Sequence, residues 1–247
     1  MRFDRKKGQI SVFIIVAIVV VVGVGAFFVI NNNETSNPVF VPIENFVQGC
    51  LESVVDEAIV ALSLQGGYSE TEGVDYLLGN VPFYFENGKK DIPSKQVVES
   101  EFSKYIEKGV GSCVNEFKSF EDYKVEEGKI DVLVRLSDEI DVKMDYRLSV
   151  IKGEDTINIK DFEVEKGFDF DRLMKLIDEF SGEHQKNPDF VPLGFLSLFA
   201  EREGFTFDLV YANDNEVVYS WLLDDVYEKP LMFNFAGRYR WDLGVEF

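Results

Sequence analysis

The sequence predicts an α+β protein in which an N-terminal transmembrane helix precedes a mixed domain of helices, an antiparallel β-meander and β-hairpins. Three observations lead to this prediction. Residues Ile10–Ile30 form an uninterrupted run of 21 residues without a charge. Apolar residues recur at three- and four-residue steps from Phe46 to Leu62, which is the spacing of one helix face. Apolar and polar residues then alternate from Ile140 to Val150, as in a strand with one buried face.

The run Ile10–Ile30 is long enough to cross a bilayer, because a helix rises ~1.5 Å per residue and the hydrocarbon core is ~30 Å thick. The first charge after it is Glu34. Positive residues are retained on the cytoplasmic side, so the N-terminus should be cytoplasmic and the rest extracytoplasmic. Within the run, Gly23 and Gly25 would allow another membrane helix to approach closely. Four basic residues precede the run: Arg2, Arg5, Lys6 and Lys7.

These features divide the chain into a cytoplasmic leader (1–8), a transmembrane helix (9–30), a linker (31–42) and an extracytoplasmic α+β domain (43–247). The linker is rich in Asn and contains two prolines, which disfavour helix continuation. It also holds a sequon, Asn33-Glu34-Thr35, so Asn33 is a candidate glycosylation site. The domain is either one core or two subdomains divided near residue 122.

The net charge of the chain limits the classes of molecule that it can bind. The net charge is -20, and the first 30 residues contribute four positive charges and one negative, so the remainder carries about -23. Such a surface repels nucleic acid and anionic lipid headgroups, which excludes nucleic acid as a partner. It favours cationic partners or divalent ions, or it serves only to keep the domain soluble.

The chain has two cysteines, Cys50 and Cys113, and the topology places both outside, where disulfides persist. An even count without a Cys-x-x-Cys spacing favours one structural disulfide over a metal site. The alternative is two unpaired buried thiols. Both cysteines fall on apolar stripes of predicted helices, so we expect both to face the core.

The helices and turns before residue 122 follow from local signals. The first helix should stop at Gly66-Gly67, and Asn87-Gly88 should form a tight turn after a short strand. Ser94 can cap the next helix. After Gly109-Val110-Gly111, Ser112 can cap a separate short turn that bears Cys113.

The part after residue 122 should be mainly β-structure. A meander is predicted from Ile130 to Val164, and helical spacing returns over Phe168–Phe180 and Leu193–Ala200. A second hairpin should span Phe205–Leu223. The last candidate strand is Leu231–Ala236.

Residues that could carry chemistry are few. The single histidine, His184, lies in a polar segment and is expected to be solvated, so no histidine-based zinc site or catalytic triad is predicted. We therefore predict no cofactor, no metal and no enzymatic activity. Three carboxylate pairs lie outside any recognisable motif, and an aromatic C-terminus could be an exposed patch or a packed strand. The carboxylate pairs are Asp224-Asp225, Asp169 with Asp171, and Glu126-Glu127. The aromatic residues are Tyr239, Trp241 and Phe247.

The leader itself resembles a known signal. Lys6-Lys7, the small residue Gly8 and Gln9-Ile10-Ser11 resemble the class III signal of archaeal type IV prepilin-like proteins. The resemblance implies cleavage between Gly8 and Gln9 by a prepilin peptidase, which would leave the helix in the membrane. The chain departs from that pattern at Phe13, where many pilins carry an acidic residue, and in its linker.

The outer domain also resembles single-pass archaeal surface proteins. The similar segments are the helix around Cys50 that ends in Leu64–Tyr68, and the closing Phe233–Tyr239. This second resemblance implies a cell-surface setting and no mechanism. Together with the leader it leads us to expect a pilin-like cell-surface protein with a structural or adhesive role, with self-association or other surface proteins as partners. The alternative is a monomeric anchored receptor, and an extracytoplasmic hydrolase is the least favoured reading.

Overall fold

A computed structural model describes residues 40–77 and 79–240, which contain four α-helices and ten β-strands. The α+β class is therefore confirmed for this part of the chain. The predicted membrane helix at Ile10–Ile30 lies outside the described residues. The helices are α1 (Val41–Leu64), α2 (Lys95–Val114), α3 (Phe170–His184) and α4 (Leu193–Glu203). The strands are β1 (Val74–Tyr76), β2 (Gly79–Val81), β3 (Phe83–Glu86), β4 (Lys89–Lys90), β5 (Lys124–Leu136), β6 (Ile140–Lys152), β7 (Asp155–Lys166), β8 (Thr206–Asn213), β9 (Glu216–Leu223) and β10 (Leu231–Arg238).

Helix α1 ends where the sequence predicts. Gly66 and Gly67 take φ values of 56° and 82°, a left-handed conformation that favours glycine. The N–H of Gly67 donates to the carbonyl of Leu62 at 2.7 Å and so closes the last turn. A side chain at Gly66 would collide with Pro82, which lies 2.7 Å from the position of a β-carbon.

Helix α2 begins at the predicted cap but runs further than expected. Ser94 Oγ accepts a hydrogen bond from the N–H of Val97 at 3.4 Å. The helix then continues through Gly109 and Gly111 to Val114, so the prediction of a separate turn capped by Ser112 is wrong. Ser112 Oγ instead donates to the carbonyl of Lys108 one turn earlier. Each glycine costs only ~1 kcal/mol in a helix, which burial of the apolar residues beside them offsets.

Strands β5, β6 and β7 form the predicted antiparallel meander. Helices touch both of its edges. At β5, the N–H groups of Val132 and Leu136 donate to carboxylates of α2, on Glu107 and Glu99 respectively, at 3.1 Å each. At β7, Gln48 of α1 donates to the carbonyl of Glu163 at 3.0 Å.

The second sheet has the strand order β4-β3-β10-β9-β8. The predicted β8–β9 hairpin is confirmed, and the last candidate strand forms as β10. The Asn87-Gly88 turn between β3 and β4 is also confirmed, with positive φ at both residues. One pairing differs from the antiparallel prediction: β10 lies parallel to β3. Ladder partners about 150 residues apart leave no mark on local periodicity, so this pairing was not predictable from spacing.

The central strands of this sheet are buried on both faces. On one face Trp221 packs against four aromatic residues from α3, α4, the segment between α4 and β8, and β10, with ring centroids 4.7–6.2 Å apart. On the other face Val218 and Ala236 pack under the β1–β2 hairpin. The described residues from Pro42 onward form one compact unit. The four aromatic residues around Trp221 are Phe180, Phe199, Phe205 and Phe235.

The prediction that His184 is solvated is wrong. Its side chain is buried, at 2% exposure. Its ring stacks on Phe85 at 4.1 Å, and Nε2 shares a hydrogen bond with the hydroxyl of Tyr239 at 3.0 Å. Helix phase explains the error, because His184 lies four residues after the fully buried Phe180 and so on the same face. Burial lowers the pKa of His184 to about 4.

This burial predicts an acid-dependent loss of stability. Unfolded His184 titrates near its ordinary pKa of ~6.5, so the unfolded state binds a proton that the folded state rejects as pH falls from 6.5 to 4. The stabilisation is complete above pH 6.5 and should fall by on the order of 3 kcal/mol by pH 4. We expect His184→Gln, which cannot ionise, to lack this part of the pH dependence. Urea unfolding of both chains in the same detergent at pH 7.5, 6 and 5 measures the difference, and parallel pH profiles would contradict it.

Candidate binding groove between α1 and α2

Helices α1 and α2 pack antiparallel along a seam that the disulfide fastens at one end. Cys50 and Cys113 are bonded, with Cα atoms 5.8 Å apart, so the predicted disulfide is present. Cys50 is buried, but Cys113 lies on the exposed side of α2. The expectation that both face the core is therefore wrong for Cys113. The reason is that α2 continues unbroken past Gly111, which sets Cys113 in helical phase with Gly109 at the seam.

One turn from the disulfide the two helices come into close contact. A β-carbon at Gly109 would lie 2.5 Å from Cγ1 of Val54, so only glycine allows this approach. The same four-residue spacing separates Cys50 from Val54 and Gly109 from Cys113, in opposite chain directions. This matched spacing is the sequence signal for an antiparallel helix pair, and it was not used in predicting the fold.

A groove of about 850 Å³ runs along the outside of this seam. Across it, the hydroxyl of Tyr105 donates to Glu57 of α1 at 2.8 Å. At the far end, Ser69 donates to Glu101 through both its N–H and its hydroxyl, at 3.1 and 2.5 Å. Lys104 pairs with the other oxygen of Glu101 at 2.7 Å. The groove is thus lined by polar groups whose positions are set by bonds between the helices and the loop after α1.

Burial and hydrogen bonds shift the pKa values of two residues that line the groove. Burial raises the pKa of Glu101, but hydrogen bonds from Lys104 and Ser69 outweigh it and hold that pKa below the usual value. Burial, together with the hydrogen bond to Glu57, raises the pKa of Tyr105 to about 12, so its hydroxyl stays protonated. The groove therefore presents paired charges and hydroxyl oxygens that can accept hydrogen bonds, because the hydroxyl protons of Tyr105 and Ser69 are donated to Glu57 and Glu101.

The carboxylate pairs singled out in the sequence contact residues of the fold. Asp169 caps α3 by accepting from the N–H of Arg172 at 2.8 Å, and Asp225 pairs with the side chain of Arg172 at 2.9 Å. Asp171 pairs with Lys95, and Glu126 pairs with Lys124. Glu127 accepts from the hydroxyl of Tyr146 at 2.5 Å. The structure brings none of these pairs together with the groove, and Asp224 remains exposed.

Other predicted site residues fall in different places. Tyr239 is buried beside His184, so this part of the aromatic C-terminus is packed and not an exposed patch. The cleavage pair Gly8 and Gln9, the helix-packing residues Gly23 and Gly25, and the candidate glycosylation site Asn33 lie outside the described residues.

Residues 40–77 and 79–240 hold neither a helix that could span a membrane nor a cluster of metal-binding side chains. Every helix there is too short or too polar to cross a bilayer. No three His, Cys, Asp or Glu side chains in these ranges are grouped so that they could hold a metal ion. The chain matches no family model, and no curated protein or solved structure is significantly similar to it.

The seam predicts the effect of removing the disulfide. Replacing Cys50 by Ala and Cys113 by Ser opens a loop closed across 63 residues, so we expect a loss of about 2–4 kcal/mol in the free energy of unfolding. Denaturant unfolding with and without reductant measures it. Reductant should lower the stability of the unmodified chain to that of the variant and leave the variant unchanged. Equal stability of the oxidised chain and the variant would contradict the prediction.

Proposed function

We propose that the protein is a single-pass, membrane-anchored cell-surface protein that resembles archaeal type IV pilin-like subunits. Its role is structural or adhesive, in the envelope or in a filament. The observation that carries this proposal is the direct succession of the basic leader, Gly8-Gln9-Ile10-Ser11 and the uncharged run to Ile30. The lipid bilayer and a prepilin peptidase are the partners that this succession requires.

Two features of the domain support an extracytoplasmic position. The Cys50–Cys113 disulfide suits an oxidising compartment. The charge of about -23 beyond the uncharged run keeps a surface domain soluble and away from anionic headgroups.

A second candidate is an anchored receptor or binding domain without a filament role. The groove between α1 and α2 favours it, because its volume of about 850 Å³ is in the range of small-molecule sites. The two candidates differ in assembly. A filament subunit forms polymers that sodium dodecyl sulfate disrupts, whereas a receptor remains a monomer in mild detergent.

The proposed processing has a direct test in the mass and N-terminal sequence of the protein from its native membrane. We expect the chain to begin at Gln9. Gly8→Trp should block cleavage, because the position before the cut carries a small residue, and the chain should then keep Met1. Asp4→Asn, which changes the leader outside the motif, is the matched control and should be cleaved normally. An unmodified chain that retains Met1–Gly8 would overturn the pilin-like proposal and leave an anchored domain.

A further inference from the structure

The two larger sheets of the described residues have four edge strands between them, and the meander protects both of its own. The outward N–H groups of β5 at Val132 and Leu136 are bonded to carboxylates of α2. Strand β7 has six charged residues among its twelve, and Gln48 occupies the carbonyl of Glu163. Covering helices and charged side chains are the usual means by which proteins prevent edge-to-edge pairing.

The five-stranded sheet protects one edge and leaves the other open. Strand β4 is only two residues long, and both are lysines, Lys89 and Lys90. Strand β8 at the opposite edge has eight residues, Thr206–Asn213, with a single charge at Asp208. No described strand pairs with its outer side. By the criteria of length and charge, β8 is the edge suited to accept another strand.

The side chains of β8 are also incompletely covered. Tyr211 is 59% exposed, and Phe207, Leu209 and Val210 are only half-buried. Their neighbours on β9, by contrast, are buried on both faces of the sheet. Val210 packs on the cluster around Val218 on one face. Phe207, Leu209 and Tyr211 share the other face and remain incompletely covered, as at sites of protein association.

The outward direction of the β8 backbone follows from one hydrogen bond. The N–H of Leu209 donates to the carboxylate of Asp208 at 2.8 Å, so it points away from β9. In an antiparallel ladder alternate residues point the same way. The backbone groups of Phe207, Leu209 and Tyr211 therefore point to the open side. Those of Asp208 and Val210 form the hydrogen bonds with β9.

We propose that β8 pairs antiparallel with β8 of a second copy of this chain, about a two-fold axis at Leu209. In this register Leu209 lies opposite the partner's Leu209, and Phe207 lies opposite the partner's Tyr211. The inference deepens the proposed structural role by naming its contact surface. It rests on that proposal because anchoring two copies in one bilayer raises their effective concentration.

The register makes the strand complementary to itself. Three opposed pairs of outward residues each exchange two backbone hydrogen bonds, about six in all. Phe207 meets an aromatic partner, and Leu209 meets an aliphatic one, which are favourable cross-strand pairs. Asp208 lies opposite the partner's Val210, so the pairing does not place the two carboxylates directly against each other.

In the monomer, the side chain of Asp208 competes with this pairing. Its carboxylate occupies the Leu209 N–H that the partner's carbonyl would accept from. We expect Asp208→Ala to raise the equilibrium constant for dimerisation roughly fivefold, because the bond to the partner no longer replaces an internal one. Asp138→Ala removes one exposed charge from the β5–β6 turn and is the matched control that should leave dimerisation unchanged.

Cysteine cross-linking of the full chain in phosphatidylcholine vesicles tests the register. Leu209→Cys should give a covalent dimer on mild oxidation, because only residue 209 opposes itself. Phe207→Cys should not, since its two copies would lie ~14 Å apart along the strands, beyond the ~7 Å that a disulfide spans. The double variant Phe207→Cys, Tyr211→Cys should cross-link again. Absence of a dimer with Leu209→Cys, or equal yields from Leu209→Cys and Phe207→Cys, would overturn the proposal.

Proline gives a second test that does not depend on cysteine chemistry. Leu209→Pro removes an N–H that does not bond to β9, so the β8–β9 ladder keeps its bonds. It should abolish the dimer and leave the circular dichroism spectrum of the folded chain unchanged. A folded Leu209→Pro chain that still dimerises would overturn the pairing.

Should the chain begin at Gln9 yet fail to cross-link at residue 209, the β8 inference falls and the proposed function stands. If residue 209 cross-links in a chain that keeps Met1, the β8 inference stands and the pilin-like proposal falls.

Discussion

The seam between α1 and α2, fastened by the disulfide, joins the two helices to which both edges of the meander are attached. Cys50–Cys113 fastens its start, Gly109 allows the close approach, and Glu57 joins Tyr105 one turn further on. The meander is attached to this pair at both edges, because α2 caps the N–H groups of β5 and α1 reaches a carbonyl of β7. A shift of one helix along the other would leave these edge groups without partners, which is costly for partly buried polar groups.

The C-terminal end of α1 holds the other sheet as well. Asn234 of β10 donates to the carbonyl of Leu64 at 3.0 Å, and the hydroxyl of Tyr84 on β3 donates to the carbonyl of Gly66 at 2.9 Å. Both acceptors are carbonyls at a helix end, which have no partner within the helix. The parallel pairing of β3 with β10 therefore has a physical basis in α1, since both strands bond to the same helix terminus.

The periodicity of the sequence predicted the elements that form from neighbouring residues. The meander, the β8–β9 hairpin and the stop at Gly66-Gly67 each depend on residues close in the chain. The errors concern partners distant in the chain. His184 looks solvated until its position four residues after Phe180 is combined with the sheet that covers that face. Cys113 looks core-facing until α2 is known to continue through Gly111. The groove was missed for the same reason, because its lining comes from two helices and a loop.

Charge and hydrogen bonding together determine where two copies of this domain can touch. Each carries about -23 beyond the uncharged run, so most approaches bring carboxylates together. At physiological salt, exposed charges more than ~8–10 Å apart are largely screened from each other. The charges closer than that distance therefore decide whether two surfaces can come into contact. Strand β8 has one charge in eight residues, and the proposed two-fold axis at Leu209 would set that charge opposite the partner's Val210. In the proposed pairing, contact between copies would thus fall on a segment where charge is sparse and the outward backbone groups have no strand partner.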